Sequence, residues 1–289
     1  MLAEAVDAGL TRDQVRQRVR SVSWQRVTRG AYLPRPEEAF AGLDDFARAR
    51  VEHIQRSIAA AERNPGTTIC DGSAALFHQM QLMAIPARVQ LAVPPGRWTG
   101  TRHGIDFRRR EFADDERVHG RVPVATAPRT WLDIACTRPL ADARAAGDSG
   151  LRREVLSPGD LQEMTARLDG RRGRVRAARA HALLDPERES PLESASFAYF
   201  VVHRIPLPRC QVVIHATSGR FLARVDFWWE GARLVGECDG RMKYESREDL
   251  YAEKRREDAL RDEGLRVVRW GLADLNRRLL ADRLRSLLA

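Results

Sequence analysis

Three carboxylates lie close together in a part of the sequence that otherwise predicts apolar strands. The stretch "RVDFWWEGARLVGECDG", residues 224–240, contains Asp226, Glu237 and Asp239. Carboxylates are rarely buried unless a cation pairs with them or a metal ion binds them. Side chains alternate along a strand, so Glu237 and Asp239 share a side, and a short hairpin can bring Asp226 next to Glu237. We therefore expect negative charge to collect at this part of a sheet.

This group of carboxylates has the chemistry of a divalent-metal site. Mg²⁺ or Mn²⁺ is held by one or two carboxylates, and water or phosphate oxygens complete its coordination. Such an ion neutralises charge on a phosphodiester and activates a water for its hydrolysis. We expect Asp226 and Glu237 to be the metal ligands, and Glu193 or Asp239 to complete or orient the site.

The lysines are concentrated near the same residues. Lysine and arginine together number 49, and the lysines are Lys243 and Lys254 alone. In a chain that otherwise uses arginine, this placement indicates a need for a compact ammonium group. We expect a lysine to stabilise charge that develops on the phosphate, and we favour Lys243 because it follows the third strand most closely.

The carboxylates also have a purely structural interpretation. Asp226 and Glu237 could pair with Arg224, Arg256 or a lysine, because a buried ion pair is tolerated when it is well hydrogen-bonded. That interpretation suits a single pair. For several acids and lysines together we favour the metal site.

The elements that must position these residues form an ordered series over residues 185–289. "PERESPLESASFAYFVVHRI" predicts an amphipathic helix with Glu193 one turn into it. Three strand-like runs separated by turns follow, then a charged helix that ends at Gly264, a further strand and a last helix. The order αβββαβ is the core order of the restriction-endonuclease-like fold, in which one strand carries Asp and the next Glu-x-Lys. Here Asp226 and Glu237-x-Asp239 take those places.

The positive charge of the chain is confined to patches. The formal net charge is +9, and residues 1–36 carry seven arginines against three acids. Residues 144–181 carry nine arginines against five acids. Localised basic stretches favour a polyanion-binding surface, although solvated faces in an arginine-rich protein remain the alternative.

The N-terminal basic stretch has the pattern of a winged helix-turn-helix. Residues 2–8 predict a short helix, Thr11 and Gln14 form a capping-box pattern for a second helix, and "WQRVTRGAYLP" predicts a hairpin. In a winged helix-turn-helix the second helix enters the major groove of duplex DNA. A structural αα-ββ unit is the alternative. The residues expected to contact nucleic acid are Arg12, Arg16, Gln17, Arg20 and, in the wing, Arg29.

The rest of the chain completes a multidomain α+β and α/β architecture. Residues 1–36 are expected to be the winged helix, 37–143 a small central α/β domain, 144–184 a basic helical linker, and 185–289 the restriction-endonuclease-like domain. No apolar stretch approaches the roughly 20 residues that span a bilayer, and the N-terminus lacks the pattern of a signal peptide. The four cysteines show no disulfide or metal-ligand spacing, which indicates a reduced, cytoplasmic protein. Because no apolar stretch is long enough to span a bilayer, we expect no membrane partner.

Two family resemblances cover nearly the whole chain. Ala8-Gly9-Leu10-Thr11 and Arg29-Gly30-Ala31-Tyr32 resemble the winged-helix head of AbiEi-type antitoxins. Asp226, Glu237-x-Asp239-Gly240, Lys243-Tyr244, Glu253-Lys254-x-Arg256-Glu257-Asp258 and Arg269-Trp270 resemble the C-terminal domain of proteins related to very-short-patch-repair endonucleases. The usual lysine of Glu-x-Lys is replaced by Asp239, and the histidine that many relatives carry after Asp-Gly is absent.

The resemblances imply two different functions. The first is a DNA-binding, Mg²⁺- or Mn²⁺-dependent endonuclease. The second is a non-enzymatic AbiEi-like regulator with a cognate toxin as partner, in which the nuclease-like domain is inactive. Walker, G-x-S-x-G and dinucleotide-binding motifs are absent from the sequence, so nucleotide-dependent and serine-hydrolase chemistries find no support.

Overall fold

The chain divides into two compact units, residues 1–134 and 135–289, in a computed structural model. The structure describes residues 11–21, 24–28, 31–34, 42–168, 172–238 and 247–289. Within these ranges, no helix has both the length and the apolar character needed to cross a membrane. Mixed helices and sheets in more than one unit agree with the expected α+β multidomain class, whereas the division into four domains stays a prediction.

The first unit begins with a short helix and a hairpin. Helix α1 spans Arg12–Arg20, and strands β1 (Trp24–Thr28) and β2 (Ala31–Pro34) pair antiparallel. The capping box expected at the start of α1 is confirmed. Thr11 N donates to Gln14 Oε1 at 2.8 Å, and Gln14 N donates to Thr11 Oγ1 at 3.2 Å. The expected helix over residues 2–8 lies outside the described residues.

A mixed sheet and three further helices complete the first unit. The helices are α2 (Asp45–Arg63), α3 (Asp71–Phe77) and α4 (Ala127–Thr137), the last of which contains the boundary between the units. The strands are β3 (Thr68–Ile69), β4 (Val89–Val93), β5 (Gly100–Arg102), β6 (Ile105–Arg109), β7 (Arg117–Val118) and β8 (Val124–Ala125). Their order in the sheet is β5-β6-β4-β3-β8-β7. Alternating apolar residues such as Leu91, Ile105 and Val124 build its core.

Buried arginines and carboxylates form a second polar layer in this unit. Asp71 is 1% exposed and accepts from Arg108 Nη1 at 2.8 Å and from Arg110 Nη2 at 3.2 Å. Arg129 pairs with Glu116 and, at 3.1 Å, with Asp133. Each buried carboxylate of this network therefore has a guanidinium partner, as burial of charge requires.

The second unit starts with helices that surround a buried charge. These helices are α5 (Leu140–Arg152), α6 (Pro158–Ala166) and α7 (Arg174–His181). Arg144 is fully buried, lies 4.3 Å over the ring of Phe197 and pairs with Asp148 at 3.6 Å. The basic stretch 144–184 thus contributes at least one arginine to the interior rather than to a phosphate-binding surface.

A four-stranded sheet between two helical layers forms the rest of the second unit. The elements are α8 (Pro191–His203), β9 (Arg209–His215), β10 (Phe221–Trp229), β11 (Leu234–Cys238), α9 (Arg247–Asp262), β12 (Arg266–Trp270) and α10 (Arg278–Leu288). The expected element order over this block is confirmed. Strands β9, β10 and β11 form an antiparallel meander, and β12 joins β11 in parallel. The order across the sheet is β12-β11-β10-β9.

This sheet has two apolar faces. Phe227 and Trp229 of β10 pack with residues of α8 and α10, whereas Val225 and Val235 pack with Leu260 of α9. Gly236 of β11 faces two indole rings, since a Cβ atom there would lie 2.6 Å from Trp270 and 2.8 Å from Trp229. Both faces of the sheet are therefore closely packed.

Candidate functional site

A row of polar residues crosses all four strands of the second sheet. Phe227 pairs with Gly236, and extending this register by one residue sets Asp226 opposite Glu237. Val225 pairs with Val212 and Phe227 with Cys210, so Gln211 lies opposite Asp226 on the other side. Glu237 pairs with Arg269 in the parallel strand. The row is Gln211, Asp226, Glu237 and Arg269.

The two carboxylates of the row contact different helical layers. Glu237 falls with Val235 on the face that packs against Leu260 of α9. Asp226 contacts Cys238 and, through Gln211, Glu193 of α8. Val225 and Phe227 belong to different clusters and Gln211 has φ +52°, so the regular alternation of side chains is interrupted beside Asp226.

Asp226 is held by neutral donors. Its Oδ2 accepts from the Cys238 backbone N–H at 3.0 Å, and its Oδ1 lies 3.5 Å from Gln211 Nε2. Among the residues that the structure describes, no cation lies within ion-pair distance of this carboxylate. Its negative charge is therefore oriented without being neutralised.

Glu193 joins the same group from the first turn of α8. Ser190 is the N-cap of this helix and accepts from Glu193 N at 3.2 Å, which fixes the position of the residue. Glu193 Oε2 accepts from Gln211 Nε2 at 2.8 Å and from the Glu189 backbone N–H at 2.9 Å. Burial first, and the charge of Asp226 in addition, raise the pKa of Glu193 above its ordinary value despite these hydrogen bonds. Gln211 thus connects the two carboxylates through one amide nitrogen.

The pKa of the Cys238 thiol is affected by the same two carboxylates. Burial, followed by the charges of Asp226 and Glu193, raises the pKa of this thiol well above its ordinary value. A neutral thiol of this kind is neither a nucleophile nor a metal ligand. We therefore assign the contribution of Cys238 to its backbone N–H.

Glu237 has a different environment from Asp226. It is 4% exposed, and its Oε1 lies 3.0 Å from Arg256 Nη2 of α9. Its Oε2 lies 3.0 Å from Arg269 Nη2, which also contacts Glu257 at 3.2 Å. The pairing of Glu237 with Arg256, which the sequence left open, is therefore present.

The remaining residues expected at the site are only partly described. Asp239 and Lys243 lie outside the described residues. Lys254 is exposed on α9 and has no partner among the described site residues. The structure thus links Glu193 to Asp226 through Gln211 and sets Glu237 on the neighbouring strand with its arginine partners. It does not bring Lys254 to them.

The donor set is compatible with one divalent ion. No group of three or more histidine, cysteine, aspartate or glutamate side chains with metal-binding geometry occurs among the described residues. Mg²⁺ requires only one or two carboxylates, because water and phosphate oxygens supply its other ligands. Asp226 has no cation within ion-pair distance among the described residues, whereas Glu237 is paired with Arg256 and Arg269. Asp226 and Glu237 fit as ligands, provided that Glu237 shares its charge with two arginines.

Most of the residues expected to contact nucleic acid lie on α1. Arg16, Gln17 and Arg20 are exposed there, and Arg16 pairs with the exposed Asp13 at 3.1 Å. Arg12 begins α1, but its side chain is outside the described part, and Arg29 lies outside the described residues. The three described side chains are accessible to a ligand on one short helix.

Two residues of the site were not anticipated from the sequence. Gln211 carries no signal, because a glutamine in a strand is ordinary, and only the register of β9 on β10 places it beside Asp226. Arg269 was noted in a resemblance but without a role, and its contact with Glu237 depends on the parallel pairing of β11 and β12. Both are products of strand register.

Comparison with known proteins gives relatives without an assigned activity. No family model matches the chain. It is 31% identical over 176 residues to Uncharacterized protein Rv2248 of Mycobacterium tuberculosis strain H37Rv and, to the same extent, to Uncharacterized protein MT2308 of strain CDC 1551. The match covers 60% of this chain and spans 64% of each relative's length. Among solved structures, the chain matches the crystal structure of the Rv2827c protein from Mycobacterium tuberculosis with a TM-score of 0.36 and 16% identity, over 73% of this chain and 80% of that one.

Proposed function

We propose that this protein binds nucleic acid and that its second unit is a divalent-metal-dependent endonuclease of the restriction-endonuclease-like class. The observation that carries the proposal is the row in which Asp226 of the second strand lies opposite Glu237 of the third. The element order and the parallel fourth strand around it support the same assignment. The restriction-endonuclease-like class carries its metal-binding acids on two neighbouring strands, and the position of Asp226 and Glu237 on β10 and β11 supports the proposal.

The residues of the row have separable roles in this proposal. Asp226 and Glu237 bind Mg²⁺ or Mn²⁺, which supplies charge neutralisation and a water of lowered pKa when bound. Gln211 orients Asp226 and Glu193 through its amide nitrogen. Burial raises the pKa of Glu193, which makes this carboxylate a stronger base than an ordinary glutamate. Arg256 and Arg269 are partly exposed and can pair with the oxygens of the phosphate.

Nucleic-acid binding is assigned to the N-terminal head as a winged helix. The capping box of α1, its exposed Arg16, Gln17 and Arg20, and the hairpin β1–β2 support this assignment. Arginines that contact phosphates release counterions, so binding should weaken steeply with salt. Replacing Arg16 and Arg20 together with alanine should reduce affinity and lower the salt slope by about 2, whereas Arg283→Ala on α10 is a matched control.

The second candidate function is a non-enzymatic regulator that keeps the fold for binding. The ion pairs of Glu237 with Arg256 and Arg269 favour it, because two guanidinium groups compete with a metal ion for the same carboxylate. In that case the head still binds duplex DNA and the second unit has no hydrolytic activity. A cognate toxin would then be the expected partner.

A cleavage assay separates the two candidates. Purified protein is incubated with single-stranded, duplex and mismatched DNA and with RNA, with Mg²⁺, with Mn²⁺ or with a chelator. We expect cleavage only with a divalent ion, loss of cleavage but not of binding in Glu237→Gln, and parental cleavage in Asp262→Asn, which removes an exposed carboxylate of α9. Absence of cleavage on every substrate would exclude the nuclease and leave the regulator.

The lysines are tested in the same assay. Lys243→Ala is expected to slow turnover much more than it weakens binding, because an ammonium near the phosphate acts in the transition state. Lys254→Ala is expected to behave like the parent, because Lys254 is exposed and has no partner among the described site residues. The reverse result would exchange the roles of the two lysines.

A further inference from the structure

A cavity in the first unit joins positive charge to an exposed aromatic ring. Its volume is about 530 Å³, within the range of small-molecule sites. Val93, Ile105 and Phe107 supply an apolar part of its lining. Arg63, Arg97 and Arg102 supply a basic part. The same wall therefore presents apolar surface and three guanidinium groups.

Trp98 gives the cavity a face on which a flat ring can stack. The indole is 60% exposed, which is unusual for so large an apolar side chain. It is held edge-on to Phe107 with ring centroids 6.0 Å apart. Gly100 passes against the indole with φ +138°, and a Cβ atom there would lie 2.7 Å from the ring. The local backbone thus supports one position of the indole and leaves much of it open.

The basic groups around the cavity are individually positioned. Arg97 Nη1 donates to the Pro65 carbonyl at 3.1 Å, and Arg102 Nε donates to His103 Nε2 at 3.1 Å. His103 and Gly104 both have positive φ, 52° and 77°, as the two central residues of a tight hairpin turn between β5 and β6. This turn carries Arg102 and His103 at the cavity.

The positive charge is not balanced within the cavity. No carboxylate belongs to its lining among the described residues. Two acids are next to lining residues in sequence. Asp106 alternates to the opposite side of β6 from Ile105 and Phe107 and accepts from Thr101 at 2.7 Å. Glu62 pairs with Arg121. The carbonyls at the end of α2 are capped, because Asn64 Nδ2 donates to Ala60 O at 2.7 Å. The electrostatic preference of the cavity is therefore for an anion.

We infer that this cavity binds a nucleotide unit, with the base stacked on Trp98 and the phosphate paired with the arginines. Guanidinium groups pair with phosphate oxygens through two hydrogen bonds, and stacking on an aromatic side chain tolerates any base. The unit could be a free nucleotide or one nucleotide of a strand, since both offer the same base and phosphate. The inference does not depend on the nuclease proposal, because the cavity belongs to the first unit and Asp226 to the second.

Calorimetric titration of the full chain tests this inference. The ligands are AMP, adenosine, inorganic phosphate, an oligothymidylate of eight nucleotides and an octaglutamate peptide. We expect AMP to bind more tightly than either of its halves. Trp98→Ala and Arg102→Ala should each weaken AMP binding about tenfold or more, and Trp98→Phe should retain most of it. Arg109→Ala, an exposed arginine of β6 outside the cavity, should bind AMP as the parent does.

The same titrations distinguish a free nucleotide from a nucleic-acid strand as the ligand, and they define the results that would overturn the inference. Tighter binding of the oligothymidylate than of AMP assigns the cavity to a strand, and equal or weaker binding assigns it to free nucleotide. The inference is overturned if phosphate binds as tightly as AMP, if Trp98→Ala and Arg102→Ala bind like the parent, or if no ligand binds at millimolar concentration. An octaglutamate peptide that binds as tightly as AMP would assign the cavity to an acidic protein segment instead.

Discussion

Both units contain buried carboxylates, but the groups that pair with these carboxylates differ between the two units. In the first unit Asp71 contacts Arg108 and Arg110, and Arg129 joins Glu116 to Asp133, so that charges of opposite sign alternate. In the second unit Asp226 and Glu193 share the neutral amide of Gln211. Glu237, in the same row, has arginine partners.

This difference indicates which network is structural. A buried carboxylate with a guanidinium partner satisfies the requirement of burial and needs no ligand. A carboxylate that is oriented by neutral donors keeps its negative charge for another cation. We therefore interpret the network of the first unit as structural, and Asp226 with Glu193 as the part of the second unit that is open to a cation. Glu237 joins a metal site in this proposal only by exchanging an arginine partner for the metal ion.

The largest expected effect is the loss of an arginine from the structural network. Arg129→Met should reduce the free energy of unfolding by about 3–5 kcal/mol, because it leaves Glu116 and Asp133 buried without this partner. Urea unfolding measures the change. Arg256→Met is the matched variant in the second unit, and it should cost much less, because Arg256 is partly exposed whereas Arg129 is buried and joins two carboxylates. Equal losses in the two variants would remove the distinction between the networks.

The next largest effect concerns the packing that holds the row in place. Gly236→Ala should destabilise the second unit by about 1–3 kcal/mol, because its Cβ atom would lie 2.6 Å from the indole of Trp270. Gly231→Ala is the control, because a Cβ atom there meets no atom within 4 Å. Thermal unfolding compares the two. An unchanged stability of Gly236→Ala would mean that the sheet can shift at no cost in stability and does not fix the position of the row.

Asp133 gives the structural network a pH signature. Burial, then the charge of Asp71, raises the pKa of this carboxyl from 3.8 to about 6. Between these values the folded unit retains a proton that the unfolded chain has released, so this group's contribution to stability is lost as the pH rises. Asp133→Asn should remove that decline between about pH 4 and 6 in urea unfolding curves. An unchanged pH profile would show that Asp133 is ionised throughout the range.

The sequence predicted local features of the fold better than it predicted contacts. The capping box at Thr11 and Gln14 and the helix that begins near Ser190 depend on residues a few positions apart, and both are present. The order of elements around Asp226 and Glu237 follows from turn residues and apolar runs in the same way.

Contacts between distant residues could not be predicted in this way. Gln211 reaches Asp226 only because β9 pairs with β10 in one register, and a shift by one residue would move it to the other face. Arg144 belongs to a stretch rich in arginine and was counted as surface charge. It is buried because Asp148 and the ring of Phe197 provide an interior environment for it.

The smallest expected effect on stability is the removal of charge from Asp226. Asp226→Asn should change the free energy of unfolding by no more than about 1 kcal/mol, and it should lower the pKa of Glu193 by removing a neighbouring negative charge. Urea unfolding and a pH titration of Glu193 by NMR measure these changes. A loss comparable to that of Arg129→Met would make Asp226 a structural residue.

Calorimetric titration of Mn²⁺ into the full chain tests the central claim most directly. The claim is that Asp226 and Glu237 hold one divalent ion. The account predicts binding of one Mn²⁺ to the parent and to Asp262→Asn, and at least about tenfold weaker binding to Asp226→Asn, since a hard cation depends on its few carboxylate ligands. Equal Mn²⁺ affinity in the parent and in Asp226→Asn would contradict the account.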